Sequence, residues 1–327
     1  MLSGKLSRWL DAWGSPHAGA IRAPLLDAAR RLELQNHVQS LAWSLTDFQG
    51  QATQPLFGDA LSAFRGKGLD FEENRAYQPG DEPRLLNWRL YARTGELYTR
   101  VFREERRPCL FLLVDRRAGM RFATRRQLKV TLAAGLACCH AWQAQQHAFP
   151  VAGLILNPEA RWFEPVMGET AMEPLIQSLL DPCPPLAFQD DQLPLEEILQ
   201  LLLQRLSPGC FLLLLSDFSD LDVDSAASVL HQLSKAHSIR AIQILDPVEQ
   251  ELPDDADLLL DDPAAPDPIL FSGGDSALRR DYAEVFSARQ AALTACFSGN
   301  GIPLHVCTTR DSVEACLDML RPVNHAG

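Results

Sequence analysis

From Arg107 onward, short apolar runs alternate with longer stretches in which apolar residues recur at the spacing of one helix face. The runs at 109–115, 151–157 and 210–217 are apolar at almost every position, which is typical of strands buried on both faces. Because such strands alternate with predicted helices, the pattern predicts an α/β fold, with a mostly parallel sheet covered by helices on both faces. The other elements predicted here are helices at 126–145, 169–180, 194–206, 224–237 and 275–298, strands at 160–166, 238–246 and 302–308, and a final helix at 312–321.

The chain before residue 107 shows a different pattern. An apolar stripe predicts a helix at 22–45, and a region rich in glycine and turn residues follows it. The stretch ARTGELYTRVF holds β-branched and aromatic residues, so it predicts a strand or a hairpin that turns at Thr94-Gly95. We therefore expect two domains, a helical and β-hairpin N-terminal region at 1–106 and an α/β domain at 107–327.

Three predicted strands end in aspartate, at Asp115, Asp217 and Asp246. The carboxyl ends of parallel strands meet at one edge of a sheet, where ligands bind if the strand order reverses. Carboxylates in such a place often hold a metal ion, but here Arg116 and Arg117 follow the first aspartate. The rim formed by these strand ends is therefore the candidate site.

These strand ends resemble those of a von Willebrand factor A domain, whose metal-ion-dependent adhesion site uses a D-x-S-x-S motif after the first strand and an aspartate after the fourth. The preceding segment, GKGLDFEENRAYQPGDEPRLLNWRLYARTGELYTRVFREE, resembles the signature of the bacterial family called domain of unknown function 58. In that family the signature leads into an A-like domain, so the resemblance implies a von Willebrand factor A-like, Rossmann-like fold and runs from about residue 60 to the C-terminus. The matching residues are Gly68, Phe71, Arg75, Tyr77, Pro79, Gly80, Asp81, Arg84, Trp88, Ala92, Arg93 and Gly95.

The D-x-S-x-S positions read Asp115, Arg117 and Gly119, so both serine hydroxyls are missing. A hard divalent cation needs oxygen ligands, and arginine can only donate hydrogen bonds. Asp115 and Asp217 alone would make a poor site for Mg²⁺. The sequence therefore predicts a degenerate adhesion site and no cofactor.

A guanidinium from Arg116 or Arg117 could instead pair with Asp217 or Asp220. Arginines fixed at the rim could then receive an acidic side chain from a partner. The alternative is purely structural, with the carboxylates held by backbone N–H groups and arginines, and with no ligand.

The signature motif also allows two interpretations. Pro79-Gly80 suits a type II turn, Asp81 can cap the segment after that turn, and Arg84 can pair with Asp81 or with Glu82, which favours a structural lock. A partner-binding surface remains the alternative, because the motif also holds three residues of the types that dominate interface hot spots, Tyr77, Trp88 and Arg93. The family's usual aspartate before the tryptophan is Asn87 here.

The net charge of −12 is unevenly spread. Residues 84–129 carry thirteen basic and four acidic side chains, whereas residues 181–270 carry eighteen acidic and three basic. A basic segment can indicate nucleic acid, but the acidic excess repels phosphates and offers the arginines a partner within the molecule. We expect internal pairing and no nucleic acid.

The eight cysteines show no C-x-x-C spacing and lie mostly in apolar runs, which favours buried free thiols in a reducing compartment. No signal peptide is recognisable, and the longest apolar run, 210–215, is too short to span a bilayer. We expect a cytoplasmic protein. An amphipathic helix at 2–13 would dock on protein or lie on a membrane surface.

No P-loop, H-E-x-x-H or G-x-S-x-G motif is present, which argues against the commonest enzyme classes. The resemblance implies a bacterial, non-catalytic interaction module, an adaptor or co-factor of a MoxR-type AAA+ ATPase in the assembly or maturation of a complex, with other von Willebrand factor A-type proteins as further partners. The alternative is an enzyme or nucleic-acid-binding protein that uses residues 84–129. The expected partner-binding residues at the rim are Asp115, Arg116, Arg117, Gly119, Asp217 and Asp220.

Overall fold

A computed structural model describes residues 21–41, 70–78, 86–103, 109–157, 160–184, 193–254, 258–260, 269–271 and 274–320. The chain divides into a small unit, residues 54–108, and a larger unit made of residues 1–53 and 109–327. The strands are β1 (Asp70–Ala76), β2 (Tyr98–Arg103), β3 (Leu110–Asp115), β4 (Val151–Leu156), β5 (Ala160–Val166), β6 (Phe211–Ser216), β7 (Ser238–Leu245), β8 (Leu258–Leu260), β9 (Ile269–Phe271) and β10 (Leu304–Thr308). The helices are α1 (Ala28–Ser40), α2 (Trp88–Thr94), α3 (Lys129–Gln146), α4 (Glu169–Leu180), α5 (Leu195–Arg205), α6 (Val223–Ala236), α7 (Pro247–Gln250), α8 (Ser276–Gly299) and α9 (Val313–Met319).

Six strands of the larger unit form one sheet in the order β10-β7-β6-β3-β4-β5. Five strands are parallel, and β5 pairs antiparallel with β4 at one edge. The predicted mostly parallel sheet flanked by helices is thus confirmed. The chain runs from β3 to β4 on one side and later returns as β6 on the other, so the strand order reverses between β3 and β6.

The apolar runs become the centre of this sheet. Every residue of β3, β4 and β6 is buried, because helices cover both faces. Helix α3 is buried along most of its length, as its alanine-rich sequence allows, whereas α5 and α6 bury one face each. With their side chains fixed by packing, β3 and β6 hold the residues that follow them in defined positions.

Helix α1 belongs to the larger unit and packs against the α/β part of it. The Ile21 N–H donates to the Cys183 carbonyl (3.0 Å), and both outer nitrogens of the Arg31 guanidinium donate to Glu173 (2.9 and 2.7 Å). The helix starts later than predicted because the Asp27 carboxylate caps it. This grouping differs from the predicted boundary, which joined α1 to the rest of 1–106.

In the small unit, β1 and β2 pair antiparallel and α2 precedes β2. The strand predicted in ARTGELYTRVF is present from Tyr98 as β2, but a hairpin turning at Thr94-Gly95 is wrong, because residues 88–94 are helical. The Asn87 side chain accepts from the Leu90 N–H (3.1 Å), and Gly95, at φ 77°, ends the helix. Local capping thus outweighs the β propensity of the segment, and Asn87 gains a role as cap.

Several predictions lie outside the described residues. They are the amphipathic helix at 2–13 and the turn residues Pro79, Gly80, Asp81 and Arg84. Arg75 lies on β1. Among the helices of the described ranges, we find none with the length and apolar character needed to span a bilayer.

Candidate functional site

A cavity of about 300 Å³ opens at the carboxyl ends of β3 and β6, where the strand order reverses. It collects five of the six residues predicted for the rim, although the sequence separates some of them by more than a hundred positions. Its lining consists of Asp115, Arg117, Gly119, Met120, Pro194, Asp217, Ser219 and Asp220.

Arg117 bridges two carboxylates at this rim. Its Nε and Nη2 donate to the two oxygens of Asp115 (3.0 and 2.7 Å), and its Nη1 and Nη2 donate to Asp220 (2.5 and 3.0 Å). The remaining Nη1 hydrogen is directed to the Leu193 carbonyl (3.2 Å). All five side-chain N–H donors of Arg117 are therefore used within the chain.

Asp115 is buried, and its other partners are also internal. The Ser216 hydroxyl donates to Oδ2 (2.7 Å), and the Arg117 backbone N–H donates to Oδ1 (2.9 Å). Burial alone would lower the pKa of Arg117, but hydrogen bonds and attraction from Asp115 and Asp220 outweigh it and raise that pKa. The guanidinium is thus a permanent cation between two strand-end carboxylates.

Lys129 is a second fixed cation, which the sequence analysis missed. Its Nζ donates to Asp217 (2.8 Å) and to Glu249 (2.6 Å), and its side chain is only 1% exposed. The one available signal was a single charge among the apolar residues of the predicted helix. Arg117 and Lys129 each link a pair of carboxylates, so the two cations balance half of four negative charges.

The pKa shifts in this second cluster reflect a balance of burial and attraction. Burial opposes the charge of Lys129, but Asp217 and Glu249 raise its pKa. Burial likewise opposes the charge of Asp217, yet Lys129 and the Ser219 N–H lower its pKa. For Glu249, burial is the larger effect and the pKa is raised, although Lys129 opposes the shift. Of the two carboxyl groups that pair with Lys129, Asp217 thus has the stronger tendency to be ionised.

Asp246, the third strand-end aspartate, has a structural role. It caps α7, accepting from the Val248 N–H (3.1 Å), and also accepts from the Thr124 N–H (2.7 Å) and the Thr309 hydroxyl (2.5 Å). Burial opposes its ionisation, but the hydrogen bonds from Thr124 and Thr309 lower its pKa. It does not line the cavity.

Arg116 lies elsewhere than predicted. Its side chain is buried, and its guanidinium donates to the carbonyls of Ser178 and Asp181 and to the Cys183 Sγ (3.2 Å). Side chains of successive residues after a strand leave in different directions, so only one arginine of the pair faces the cavity. Arg116 joins β3 to the end of α4 instead.

The residues present do not fit a divalent metal ion. The space between Asp115 and Asp220 is filled by the Arg117 guanidinium, Asp217 faces Lys129, and Gly119 supplies no ligand. Within the described part of the chain, no group of three or more His, Cys, Asp or Glu side chains is arranged to hold a metal. The carboxylate oxygens of the rim already accept strong hydrogen bonds from Arg117 and Lys129. A divalent ion would have to displace one of these two cations.

Gly119 is required by the geometry of this cavity. A Cβ atom there would lie 2.9 Å from Asp217 Oδ2, an oxygen held in place by Lys129. We expect Gly119→Ala to lower the free energy of unfolding by about 1–3 kcal/mol in urea denaturation, as overpacking does. Gly299→Ala is the matched control, because a Cβ there meets nothing within 4 Å. Equal effects of the two changes would contradict the close approach.

The remaining candidates for chemistry are part of the core. Burial lowers the pKa of His140 to about 4, so its ring is neutral, and it contacts the Leu136 carbonyl (2.7 Å). All eight cysteines are free thiols, and seven of them are buried. The opposed charges of segments 84–129 and 181–270 meet in the pairs that Arg117 and Lys129 form.

Similar proteins include two mycobacterial ones. The chain is 29% identical over 255 residues to Uncharacterized protein Rv1480 of Mycobacterium tuberculosis, with 76% of this chain and 77% of that protein covered. The same figures hold for Uncharacterized protein Mb1516 of Mycobacterium bovis.

Two solved structures are more distantly similar. One is an aerotolerance-related membrane protein of Bacteroides fragilis, at 11% identity and a TM-score of 0.35, covering 65% of this chain and 96% of that chain. The other is the conserved hypothetical protein BatB of Bacteroides thetaiotaomicron, at 10% identity and the same TM-score, covering 65% and 95%. Finally, the model of the family described as "Protein of unknown function DUF58" matches residues 73–292, more than half of the sequence, and the chain therefore belongs to the DUF58 family.

Proposed function

We propose that this chain is a non-catalytic interaction module with a von Willebrand factor A-like fold, in which fixed cationic side chains replace the metal of an adhesion site. The strand order, with its reversal between β3 and β6 and its antiparallel edge strand, supports the fold. The cavity at that reversal supports the position of the binding surface, since ligands of α/β proteins bind there.

The observation that carries the proposal is the bridge made by Arg117. In an adhesion site a metal ion lies beside the carboxylates that follow the strands, and here a guanidinium lies between Asp115 and Asp220. Each cation of the arrangement is held by two carboxylates, and the Ser216 hydroxyl that donates to Asp115 is buried. Such a site suits recognition of a partner better than chemistry on a substrate.

The hydrogen bonds of Arg117 favour a different mode of partner binding from the one expected from the sequence. An acidic side chain cannot be received by Arg117 through a spare donor, because all of its donors are occupied, and Arg116 is buried. Of the residues that line the cavity, Gly119, Pro194, Ser219 and Asp220 are exposed, and Ser219 and Asp220 are the two of these four with polar side chains. We infer that a partner contacts these two residues and leaves the Arg117 bridge intact.

The small unit offers a second surface that supports an interaction role. Trp88 is 60% exposed and Tyr91 is 43% exposed, and their rings meet edge to face with centroids 6.2 Å apart. Arg93 on the same helix is exposed as well. Exposed tryptophan, tyrosine and arginine are the residue types that dominate interface hot spots, and this favours the binding interpretation of the family signature over the structural lock.

The partner proposed from the family resemblance is a MoxR-type AAA+ ATPase, in the cytoplasm, together with other von Willebrand factor A-type proteins. The alternative use of residues 84–129 for nucleic acid is weakened, since Lys129 and Arg117 pair with carboxylates and Arg116 is buried, which leaves Arg89, Arg93, Arg125 and Arg126 as the exposed cations of the described part of this segment. A phosphate backbone needs cations that are free to approach it.

The test is a binding measurement with the purified ATPase of the same organism, in the presence of ATP. We expect Ser219→Arg, which fills the cavity mouth, to weaken binding at least about tenfold, equivalent to about 1.4 kcal/mol. Gln232→Arg places the same side chain on the exposed face of α6 and serves as the control. The rim would be excluded as the binding surface if both variants, shown to be folded by circular dichroism, bound equally well.

A further inference from the structure

Two cysteines lie side by side at the amino ends of β3 and β6, opposite the rim. Cys109 directly precedes β3 and Cys210 directly precedes β6. The two strands are parallel and in register, with Leu110 opposite Phe211, and the Phe211 N–H donates to the Cys109 carbonyl (2.8 Å). The two cysteines are therefore neighbours across the ladder and belong to the same core cluster.

The geometry of this pair is close to that of a disulfide. The two Sγ atoms are 3.3 Å apart, and the Cys109 thiol donates to the Cys210 sulfur. Neighbouring strands place their Cα atoms about 4.8 Å apart, within the roughly 4.4–6.8 Å that a disulfide spans. A bond of about 2.05 Å would form with a sulfur displacement of roughly 1 Å, which side-chain rotation can supply.

The surroundings make Cys210 the nucleophile of the pair. The hydrogen bond from Cys109 lowers the pKa of Cys210, against the opposing effect of burial, and the adjacent His237 lowers it further. The same bond, together with burial, raises the pKa of Cys109. When protonated, Cys210 donates to the Ser207 carbonyl (3.2 Å). The thiolate is the reactive form of cysteine, so Cys210 reacts first.

We propose that Cys109 and Cys210 form a reversible dithiol–disulfide site that small organic disulfides oxidise. The Cys210 thiolate attacks one sulfur of the oxidant R–S–S–R, the oxidant's S–S bond breaks, and RS⁻ leaves. Cys109 gives its proton to that RS⁻ and attacks the Cys210 sulfur, and the second RS⁻ leaves and takes a proton from water. Two protein thiols become one disulfide, and the oxidant is reduced to two thiols.

The other cysteines are less suited to this reaction. Cys138 and Cys139 are fully buried in α3, and burial raises the pKa of Cys138 to about 12. Cys307 and Cys316 also share a hydrogen bond, but they lie on β10 and α9, so a bond between them would join no two strands of the sheet. Cys109 and Cys210 are also buried, so oxidation requires a local opening at the strand starts and is slower than in the unfolded chain.

The disulfide would have a structural consequence. It would covalently join β3 and β6, the two strands whose carboxyl ends lead into Asp115 and Asp217. It would also close a loop of roughly 100 residues, which restricts the unfolded chain. The oxidised protein should therefore melt at a higher temperature than the reduced one.

The experiment treats the purified full chain with 2-hydroxyethyl disulfide near neutral pH, followed by intact-mass measurement and peptide mapping. We expect the loss of two hydrogen atoms, a cross-link between the peptides of Cys109 and Cys210, and a rise in Tm of roughly 5 °C or more that dithiothreitol reverses. A cross-link between any other cysteines, such as Cys307 and Cys316, overturns the assignment. So does the absence of a cross-link in folded protein.

Variants resolve the order of the two steps. In Cys109→Ser the second step is blocked, so we expect the mixed disulfide to accumulate on Cys210, with the mass of one 2-hydroxyethylthio group added. Cys138→Ser is the control and should react as the wild type does. Modification of another residue in Cys109→Ser would contradict Cys210 as the nucleophile. If a serine variant fails to fold, the peptide map of the wild-type chain decides alone.

Discussion

Replacing Lys129 with methionine is expected to lower the free energy of unfolding by about 3–5 kcal/mol at pH 7. The change leaves Asp217, whose side chain is 5% exposed, and the partly buried Glu249 without their shared cation. Removing one partner of a buried ion pair is costly because the remaining charge is neither hydrated nor balanced. Urea denaturation measures the effect, and the midpoint should fall without a change in slope.

The matched controls separate charge from packing. Lys235→Met, on the exposed side of α6, should change stability by less than about 0.5 kcal/mol. Adding Asp217→Asn to Lys129→Met removes the stranded charge and should recover a large part of the loss. If Lys129→Met costs no more than the control, the ion cluster does not stabilise the fold.

The pH dependence of Lys129→Met has a defined sign. In the wild type the pKa of Asp217 is lowered, so its contribution to stability is present above the unfolded pKa of about 3.9 and is lost as pH falls through the folded pKa. In the variant, only the hydrogen bonds from Ser219 still oppose burial, and we expect the folded pKa of Asp217 to rise above about 3.9. The penalty then grows as pH rises, and the two proteins should differ less at pH 3 than at pH 7.

Replacing Arg117 with serine is expected to lower stability by roughly 2–4 kcal/mol and to create a response to Mg²⁺ that the wild type lacks. Asp115 and Asp220 lose the cation between them, and a divalent ion can then use their oxygens, the Ser216 hydroxyl and the new serine hydroxyl. An ion at ten times its dissociation constant restores about 1.4 kcal/mol. Differential scanning fluorimetry with and without MgCl₂ measures both effects.

Two controls separate binding of Mg²⁺ at the rim from a general effect of salt on stability. Sodium chloride at equal ionic strength controls for screening, and adding Asp115→Asn should abolish the response because a ligand is lost. A wild-type protein whose Tm rises equally in Mg²⁺ would contradict the replacement of a metal by Arg117. So would an Arg117→Ser variant that ignores the ion.

Much of the fold could be predicted because its signals are local. The uninterrupted apolar runs that became β3, β4 and β6 are strands in the structure, and the acidic first turn of α5 begins the helix near its predicted position. The α2 segment was misread, because β-branched and aromatic side chains indicated a strand while a cap at Asn87 and a left-handed Gly95 favoured a helix. Capping acts through hydrogen bonds that a propensity pattern does not contain.

The candidate site could be predicted only in part. The strand-end aspartates and the lost serine positions are visible in the sequence, and the cavity brings together Asp115, Asp217 and both serine positions, while Asp246 lies outside its lining. The pairing of Lys129 with Asp217 was not visible, because it joins residues 88 positions apart through the packing of α3 against the sheet. Arg116 is buried whereas Arg117 lines the cavity, because the two side chains leave the backbone after β3 in different directions. The order of residues in the sequence does not show these directions.

The docking of α1 means that the larger unit is discontinuous in sequence, since residues 54–108 are inserted between α1 and β3. During synthesis on the ribosome, Leu34 and Val38 emerge before the α3 surface against which α1 packs. A chain shortened to begin at Cys109 would leave the matching face of α3 uncovered and prone to aggregation. Any excised version of the α/β unit should therefore keep residues 21–41, joined to β3 by a flexible linker in place of the insertion.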